Sequence, residues 1–316
     1  MKQPEVWRGY MLAVTAAALW ATLGLFGKIL YRYPVDPITV VTLRAIIAAL
    51  TLGVVLAVYR PNCLRISRND IPFFILYGVV GVALNYAMFF LALKWTTVAT
   101  TVILLYTYPA LVVVGAALIF KESLDRPKLL ALLITLAGCF LVAQGYDSSA
   151  LQLNLPGVLF GLGAGVTMAV YSLMGKQSLT RYPGWTVVFY AISFGAMALT
   201  LWRGPGLILA LDYPWPAWIL IVGLAWGPTL LAYSLFTLSM NYIEAGRASI
   251  TATLEPVLAT GLAFLVLGEY MAPLQWGGAA LILLGVLLLQ KKQKGQTKAV
   301  SKSGQVMVVE EVAKDF

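Results

Sequence analysis

Long apolar blocks, rather than alternating or amphipathic patterns, organise this chain of 316 residues. A helix that spans a bilayer needs about 20 apolar residues. Ten blocks meet that length, at about 9–30, 37–59, 71–93, 97–120 and 127–144 and then at about 156–176, 184–202, 216–240, 246–267 and 273–290. The pattern predicts an all-α membrane protein with ten transmembrane helices.

Composition agrees with this prediction. Hydrophobic residues make up 60% of the chain and charged residues only 11%, whereas soluble domains carry about 25% charged residues. A soluble enzyme is thereby excluded. The first block is longer than the apolar region of a signal peptide, so we interpret it as an uncleaved first span.

The two halves of the chain repeat one another. Gly27-Lys28 recurs as Gly175-Lys176 at an offset of 148. Further along, an offset of 147 superposes Tyr86 on Tyr233, Phe89 on Phe236, Ile103 on Ile250, Pro109 on Pro256, Glu122 on Glu269 and Gly138 on Gly285. Two five-span units, 9–144 and 156–290, joined by an external linker at 145–155, explain the match. Because five is odd, the units are inverted around a central cavity, which is the usual basis of alternating access.

The distribution of Lys and Arg predicts the orientation. With both termini in the cytoplasm, 17 of the 22 basic residues fall on the inner side, as the positive-inside rule requires. This rule also accounts for the net charge of +9 without a nucleic-acid partner. The polar segment 291–316 is predicted to be a disordered cytoplasmic tail.

The ten spans, the lysine that ends the first span of each half, and the proline-then-glutamate pattern across each fourth span resemble the drug/metabolite transporter superfamily, specifically its EamA-type ten-helix exporters. The resemblance covers about residues 9–290. It implies a bundle whose cavity is lined by the first, third and fourth helices of each unit. It also implies a multi-pass protein of the cell (inner) membrane that moves amino acids, other metabolites or drugs.

Two charged residues lie within predicted spans, where ionised groups are costly. Glu255 is the first candidate for substrate binding and for carrying a coupling proton, with a structural carboxyl as the alternative. Arg44 in the second span is an intramembrane charge for which a structural pair or snorkelling to the interface is the favoured interpretation over a substrate role.

The inverted repeat also suggests gates. Lys28 and Glu269 are predicted near the outer face, and Glu122 and Lys176 near the inner face. We hypothesise one gate ion pair on each face, against the alternative that these helix-end charges snorkel to the interface. Pro109, Pro228 and Pro256 are candidate hinges, and Pro228 is expected to be peculiar to the second half.

The helices that the resemblance assigns to the cavity carry aromatic and neutral polar side chains suited to an amphipathic solute. Together with Glu255 we expect the cavity to contain Trp20, Asn85, Tyr86, Tyr106, Tyr108, Tyr171, Trp226, Thr229 and Tyr233. Helix packing and interfacial belts are the alternative roles of these aromatics.

Chemistry other than transport finds little support. The chain has no histidine and two distant cysteines, Cys63 and Cys139, so neither a metal site nor a catalytic trio can be assembled. No Walker A motif follows either Gly-Lys pair, and we expect no cofactor. The sequence therefore predicts a secondary active exporter of amino acids or related small metabolites, with proton coupling open and a multidrug or cationic-compound exporter as the alternative.

Overall fold

The computed structural model describes residues 3–30, 32–149, 151, 153–204, 206, 212–268 and 270–302. Within these ranges the regular secondary structure is helical throughout, which confirms the predicted all-α class. Ten helices follow one another: α1 Gln3–Leu30, α2 Pro37–Tyr59, α3 Arg68–Trp95, α4 Val98–Leu105 with Tyr108–Phe120, α5 Arg126–Val142, α6 Leu155–Ser178, α7 Gly184–Arg203, α8 Trp215–Ser239, α9 Ala245–Ala252 with Leu254–Leu267, and α10 Pro273–Lys302.

The lengths of these helices suit a bilayer. In the described part of the chain, nine are long and apolar enough to cross a membrane. The remaining helix, α5, has 17 residues, at the lower end of the range of about 17–25 that spans a hydrocarbon core. We conclude that the chain is a multi-pass membrane protein.

Local sequence fixes where the helices begin. The carboxylates of Asp36 and Asp125 accept backbone N–H groups in the first turns of α2 and α5, and the side chain of Asn154 does the same for α6. A proline stands in the first turn of each of these helices, where its missing N–H costs no hydrogen bond.

The two halves share one plan of helix boundaries at an offset of 147. The two segments of α4 begin, break and end at positions that correspond to those of α9, and α2 and α5 begin at the positions that correspond to α7 and α10. Even the helix ends match, since Lys121 and Gly268 follow α4 and α9 with left-handed φ angles of 57° and 67°. The internal repeat seen in the sequence is thus a structural repeat.

Helices of the two units pack on one another rather than forming separate bundles. α5 lies along α10, α2 lies along α7, and α3 lies between α6 and α7. α1 packs against α8 and α9 of the other unit. The core of the protein is therefore the interface between the repeats.

The hinge prolines are found at irregular backbone. Pro109 and Pro256 directly follow the breaks in α4 and α9. Pro228 lies in a π-helical stretch of α8, Ala225–Leu231, but α3 has a similar stretch at Tyr77–Leu84 without a proline. The expectation that this feature is peculiar to the second half is wrong, because the wide turn does not depend on a proline.

The segment after the last span differs from the prediction. The backbone of α10 stays helical to Lys302 instead of ending near 290, because Gln, Lys and Ala favour helix. The rest of the predicted tail, 303–316, lies outside the described residues.

We predict that the close packing of α5 against α10 is needed for the stability of the protein. A Cβ atom at Gly278 would stand 2.8 Å from the carbonyl oxygen of Gly138 and 2.9 Å from the backbone nitrogen of Val142, whereas one at Gly277 would meet nothing within 4 Å. Gly278→Ala should destabilise the protein by about 1–3 kcal/mol through forced helix separation, measured as a lower melting temperature in detergent. Gly277→Ala is the matched control, and equal loss in both variants would contradict the prediction.

Candidate functional site

A cavity of about 400 Å³ opens at one end of the bundle. Its wall comes mainly from α1, α4 and α9, with contributions from α3, α5 and α10. Lys28, Val98 and Ala263 lie near its mouth, at the ends of α1, α4 and α9 that the charge distribution predicts to be external. The cavity is thus accessible from the predicted outer side.

Glu255 is the acidic residue of this cavity. It is half-buried on α9 just after the helix break, and the Tyr106 hydroxyl of α4 lies beside its carboxyl group. Aliphatic side chains such as Leu25, Val102 and Ala259 make up most of the remaining wall. A carboxylate in such surroundings is suited to bind an ammonium group or a proton.

Of the ten residues predicted for the cavity, the structure places two, Tyr106 and Glu255, in its wall. The other eight do not line this cavity in the conformation described, and a contact of any of them with solute stays a prediction. Trp226 is 51% exposed on the outside of the bundle, where its ring nitrogen donates to Thr51. The remaining seven are buried between helices, namely Trp20, Asn85, Tyr86, Tyr108, Tyr171, Thr229 and Tyr233.

The buried aromatics form a cluster where the two units meet. The Tyr233 ring lies 5.2 Å from Trp20 and 5.0 Å from Tyr171, centroid to centroid. The Tyr171 hydroxyl is bonded to Thr237 at 3.1 Å. These rings close the centre of the bundle, whereas the resemblance had placed α6 and α8 in the cavity wall.

The neutral polar candidates hold the structure together. The amide of Asn85 donates to the carbonyl oxygen of Ala164 at 2.9 Å and to the Thr167 hydroxyl at 3.1 Å, and so joins α3 to α6. The Thr229 hydroxyl donates to the Leu224 carbonyl within α8. Hydrogen bonding to backbone is how polar side chains are accommodated in lipid.

Arg44 lies beside the aromatic cluster. Its guanidinium carbon is 4.4 Å from the centroid of the Tyr86 ring. Its Nε atom is buried without a hydrogen-bond partner, and Tyr233 is within electrostatic range. The structural ion pair that the sequence favoured is absent from the described part of the chain.

The inner gate residues have other partners than those predicted. Glu122 does not bind Lys176; its carboxylate accepts the backbone N–H groups of Ala245 and Gly246, at 2.7 and 3.2 Å. The amine of Lys176 instead donates to the carbonyl oxygen of Met240. A helix start has free N–H groups and a positive dipole end, so the start of α9 binds the carboxylate in place of the lysine. For the outer pair, Lys28 is exposed at the cavity mouth and Glu269 lies outside the described residues.

Further charges complete this inner cluster, which we define as Glu122, Asp125, Lys128, Glu244 and Arg247. The fully buried amine of Lys128 lies 2.7 Å from Glu244 and 3.5 Å from Glu122. Arg247 lies 2.9 Å from Glu244 and 3.5 Å from Asp125. The cluster joins the end of α4 and the start of α5 to the start of α9. The sequence analysis had counted its basic members only among the 17 basic residues of the inner side.

The repeat shows that the two ends of the bundle differ in state. Eleven wall residues on α4, α9 and α10 have counterparts at the offset of 147, and eight of the eleven are at least partly exposed. All eleven counterparts are buried, namely Tyr108, Pro109, Val112, Val113, Ala116, Lys128, Ala245, Gly246, Ser249, Ala252 and Thr253. The bundle is open at its predicted outer end and closed at its inner end.

Comparisons with known proteins agree with this architecture. The model of the EamA-like transporter family matches residues 7–144 and 155–290, one match in each half. An uncharacterized transporter of Archaeoglobus fulgidus is 27% identical over 89% of this chain and 95% of its own length. The uncharacterized transporter YwfM of Bacillus subtilis is 29% identical over 92% and 96%.

An uncharacterized inner membrane transporter of Salmonella typhimurium, YicL, is 24% identical over 92% of this chain and 98% of its own. A solved crystal structure covers 94% of this chain and 99% of its own with a TM-score of 0.76 and 22% identity. At that identity the likeness concerns the fold alone.

We predict that the inner cluster is a major source of stability. Lys128→Ala would take a fully buried cation from the buried carboxylate of Glu122 and from the partly exposed carboxylate of Glu244, which keeps Arg247, at a cost of about 3 kcal/mol. Arg126→Ala removes an exposed cation of the same loop and should be almost neutral. Thermal unfolding in detergent compares the two variants, and a neutral Lys128→Ala would show that the cluster contributes little.

Proposed function

The chain belongs to the EamA-like transporter family, and from this premise we propose that it is a secondary transporter that exports amino acids or related small metabolites by alternating access. Export of multidrug or other cationic compounds is the alternative. We place it in the cytoplasmic membrane with both termini in the cytoplasm, consistent with the inner-membrane name of its relative YicL.

The observation that supports the proposal most directly is that repeat-equivalent positions are exposed at one end of the bundle and buried at the other. A cavity with Glu255 in its wall is open on one side, while the equivalent positions of the other repeat are buried. In an inverted repeat, exchanging the conformations of the two units closes the first cavity and opens the second. The same chain can thereby adopt both the outward-open and the inward-open state of the cycle.

The inner cluster provides the closure in the state described here. The carboxylate of Glu122 accepts hydrogen bonds from the first backbone amides of α9. Lys128 and Arg247 form ion pairs with Glu244, the residue just before that helix. Opening toward the cytoplasm moves the start of α9 away from the end of α4, and each separated charge then gains water in place of its partner. This exchange keeps the two states close in free energy.

The cavity wall favours a small amphipathic cation or zwitterion. Its volume of about 400 Å³ is near the lower end of the range of small-molecule sites, about 300–1,000 Å³. Aliphatic side chains suit an apolar body and Glu255 suits an ammonium group. Because the same carboxylate can carry a proton, we propose that the two compete for it and that an inward proton flux drives export.

We predict that Glu255→Gln uncouples transport from the pH gradient. In proteoliposomes with an acidic interior, wild-type protein should accumulate L-leucine at least several-fold, and the variant should lose this accumulation while retaining exchange, because glutamine cannot release a proton. Asp212→Asn, an exposed carboxylate outside the helices, is the control. Accumulation of an aromatic quaternary ammonium cation instead of leucine would favour the alternative function. Saturable leucine efflux at a rate independent of the pH gradient would contradict a role of Glu255 in proton coupling.

We predict opposite accessibility for Ala259 and its counterpart Val112. In a background of Cys63→Ala and Cys139→Ala, Ala259→Cys should react with a membrane-impermeant maleimide from outside. Val112→Cys should stay unreactive from both sides. Adding Glu122→Gln, which weakens the inner closure, should expose Val112→Cys to reagent from the cytoplasmic side only. Labelling of Val112→Cys from outside would contradict alternating access.

A further inference from the structure

We propose that Arg44 binds the carboxylate of the transported solute, in a site shared with Tyr86 and Tyr233 at the interface of the two units. This inference rests on the proposed transport function and specifies the charge of its substrate. The sequence favoured a structural pair for Arg44, and the surroundings of the side chain now argue against that role.

The arginine lies within the membrane and has no counter-ion in the described part of the chain. It stands seven residues after Pro37, the first residue of α2, which is roughly 10 Å along the helix. Its one direct partner is the face of the Tyr86 ring, and its Nε donor is buried and unused. A cation–π contact offsets only part of the cost of desolvating a guanidinium group.

The acidic residue at the start of α2 and the acidic residue of the cavity wall are both engaged elsewhere. Asp36, at the start of α2, pairs with Arg203 at 3.2 Å and caps its own helix. Glu255 faces the cavity beside Tyr106. An uncompensated intramembrane arginine indicates a function that requires the charge, and an anion supplied from solution is the partner that this arrangement lacks.

The position of Arg44 is suited to a solute that passes between the repeats. Tyr86 and Tyr233 correspond at the offset of 147, and their hydroxyls are adjacent, so the pair marks the axis that relates the units. Trp20 of α1 contacts Tyr233, and one turn later the same helix lines the cavity at Gly24. Trp20 therefore lies between the open cavity and the Arg44 site.

The chemistry of this site complements that of Glu255. A guanidinium group binds a carboxylate through two parallel N–H donors, and the tyrosine hydroxyls can donate to the same group. A solute with an ammonium group at Glu255 and a carboxylate that reaches Arg44 on passage would satisfy both charges. An amine without a carboxylate would leave Arg44 unpaired, so the site selects zwitterions over simple cations.

The test compares L-leucine with L-leucinamide, which keeps the ammonium group and lacks the carboxylate. Thermal stabilisation of the purified protein measures binding, and proteoliposome uptake measures transport. In the wild type, leucine should raise the melting temperature more than leucinamide does. Arg44→Gln should remove that difference and raise the KM for leucine at least 10-fold, with less than a 2-fold change for leucinamide.

Arg44→Lys keeps the charge without the two-donor geometry and should fall between the wild type and Arg44→Gln. It also keeps the inference testable if Arg44→Gln does not fold.

Equal loss of leucine and leucinamide binding in the Arg44 variants would overturn the inference in favour of a structural arginine. A wild type stabilised no more by leucine than by leucinamide would overturn it as well. Leucine binding that depends on Arg44 in a protein that transports nothing would refute the proposed function and leave the anion site standing.

Discussion

Hydrocarbon offers no hydrogen-bond partner, and this constraint governs every irregular feature of the bundle. At the breaks in α4 and α9 a threonine donates twice to one carbonyl oxygen, through its backbone N–H at 3.2 Å in both cases and through its hydroxyl. Thr107 donates to the oxygen of Leu104 at 2.7 Å and Thr253 to that of Ile250 at 2.6 Å. The broken helices are tolerated in the membrane because these hydrogen-bond donors lie within the same helices. The breaks also place Tyr106 and Glu255 at the cavity.

The same backbone plan carries different chemistry in the two units. At paired positions Tyr108 matches Glu255, and Lys128 matches Gln275. The inner end of the bundle is consequently held by buried charges, while the open cavity is lined by neutral groups, Glu255 and, at its mouth, Lys28. In the proposed cycle, symmetric helices with asymmetric side chains would relate the two conformations through the fold and let them bind solute and protons differently.

The sequence predicted the architecture well because apolar length and repeat spacing are directly visible in it. It was weaker for the site. A helix that is apolar on all sides does not reveal which face meets lipid, so Trp226 was assigned to a cavity although it lies on the outside. Lys128 was counted only as one of the basic residues of the inner side, and its burial results from the spatial meeting of α4, α5 and α9. Glu255 stood out because a lone carboxylate within a span is informative by itself, and it lies in the cavity wall, while its role in transport stays a prediction.

The geometry of α9 links closure at one end to solute binding at the other. Its first segment begins at the amides that Glu122 binds, and its second segment, after the break at Thr253, carries Glu255 into the cavity. Ten residues, or about 15 Å of helix, separate the two sites. A tilt of the first segment that releases Glu122 must therefore pass through the break, where Glu255 and Tyr106 meet. Under the proposed mechanism, a solute or proton that alters this meeting would bias the tilt, and coupling would need no connection longer than one short helix segment.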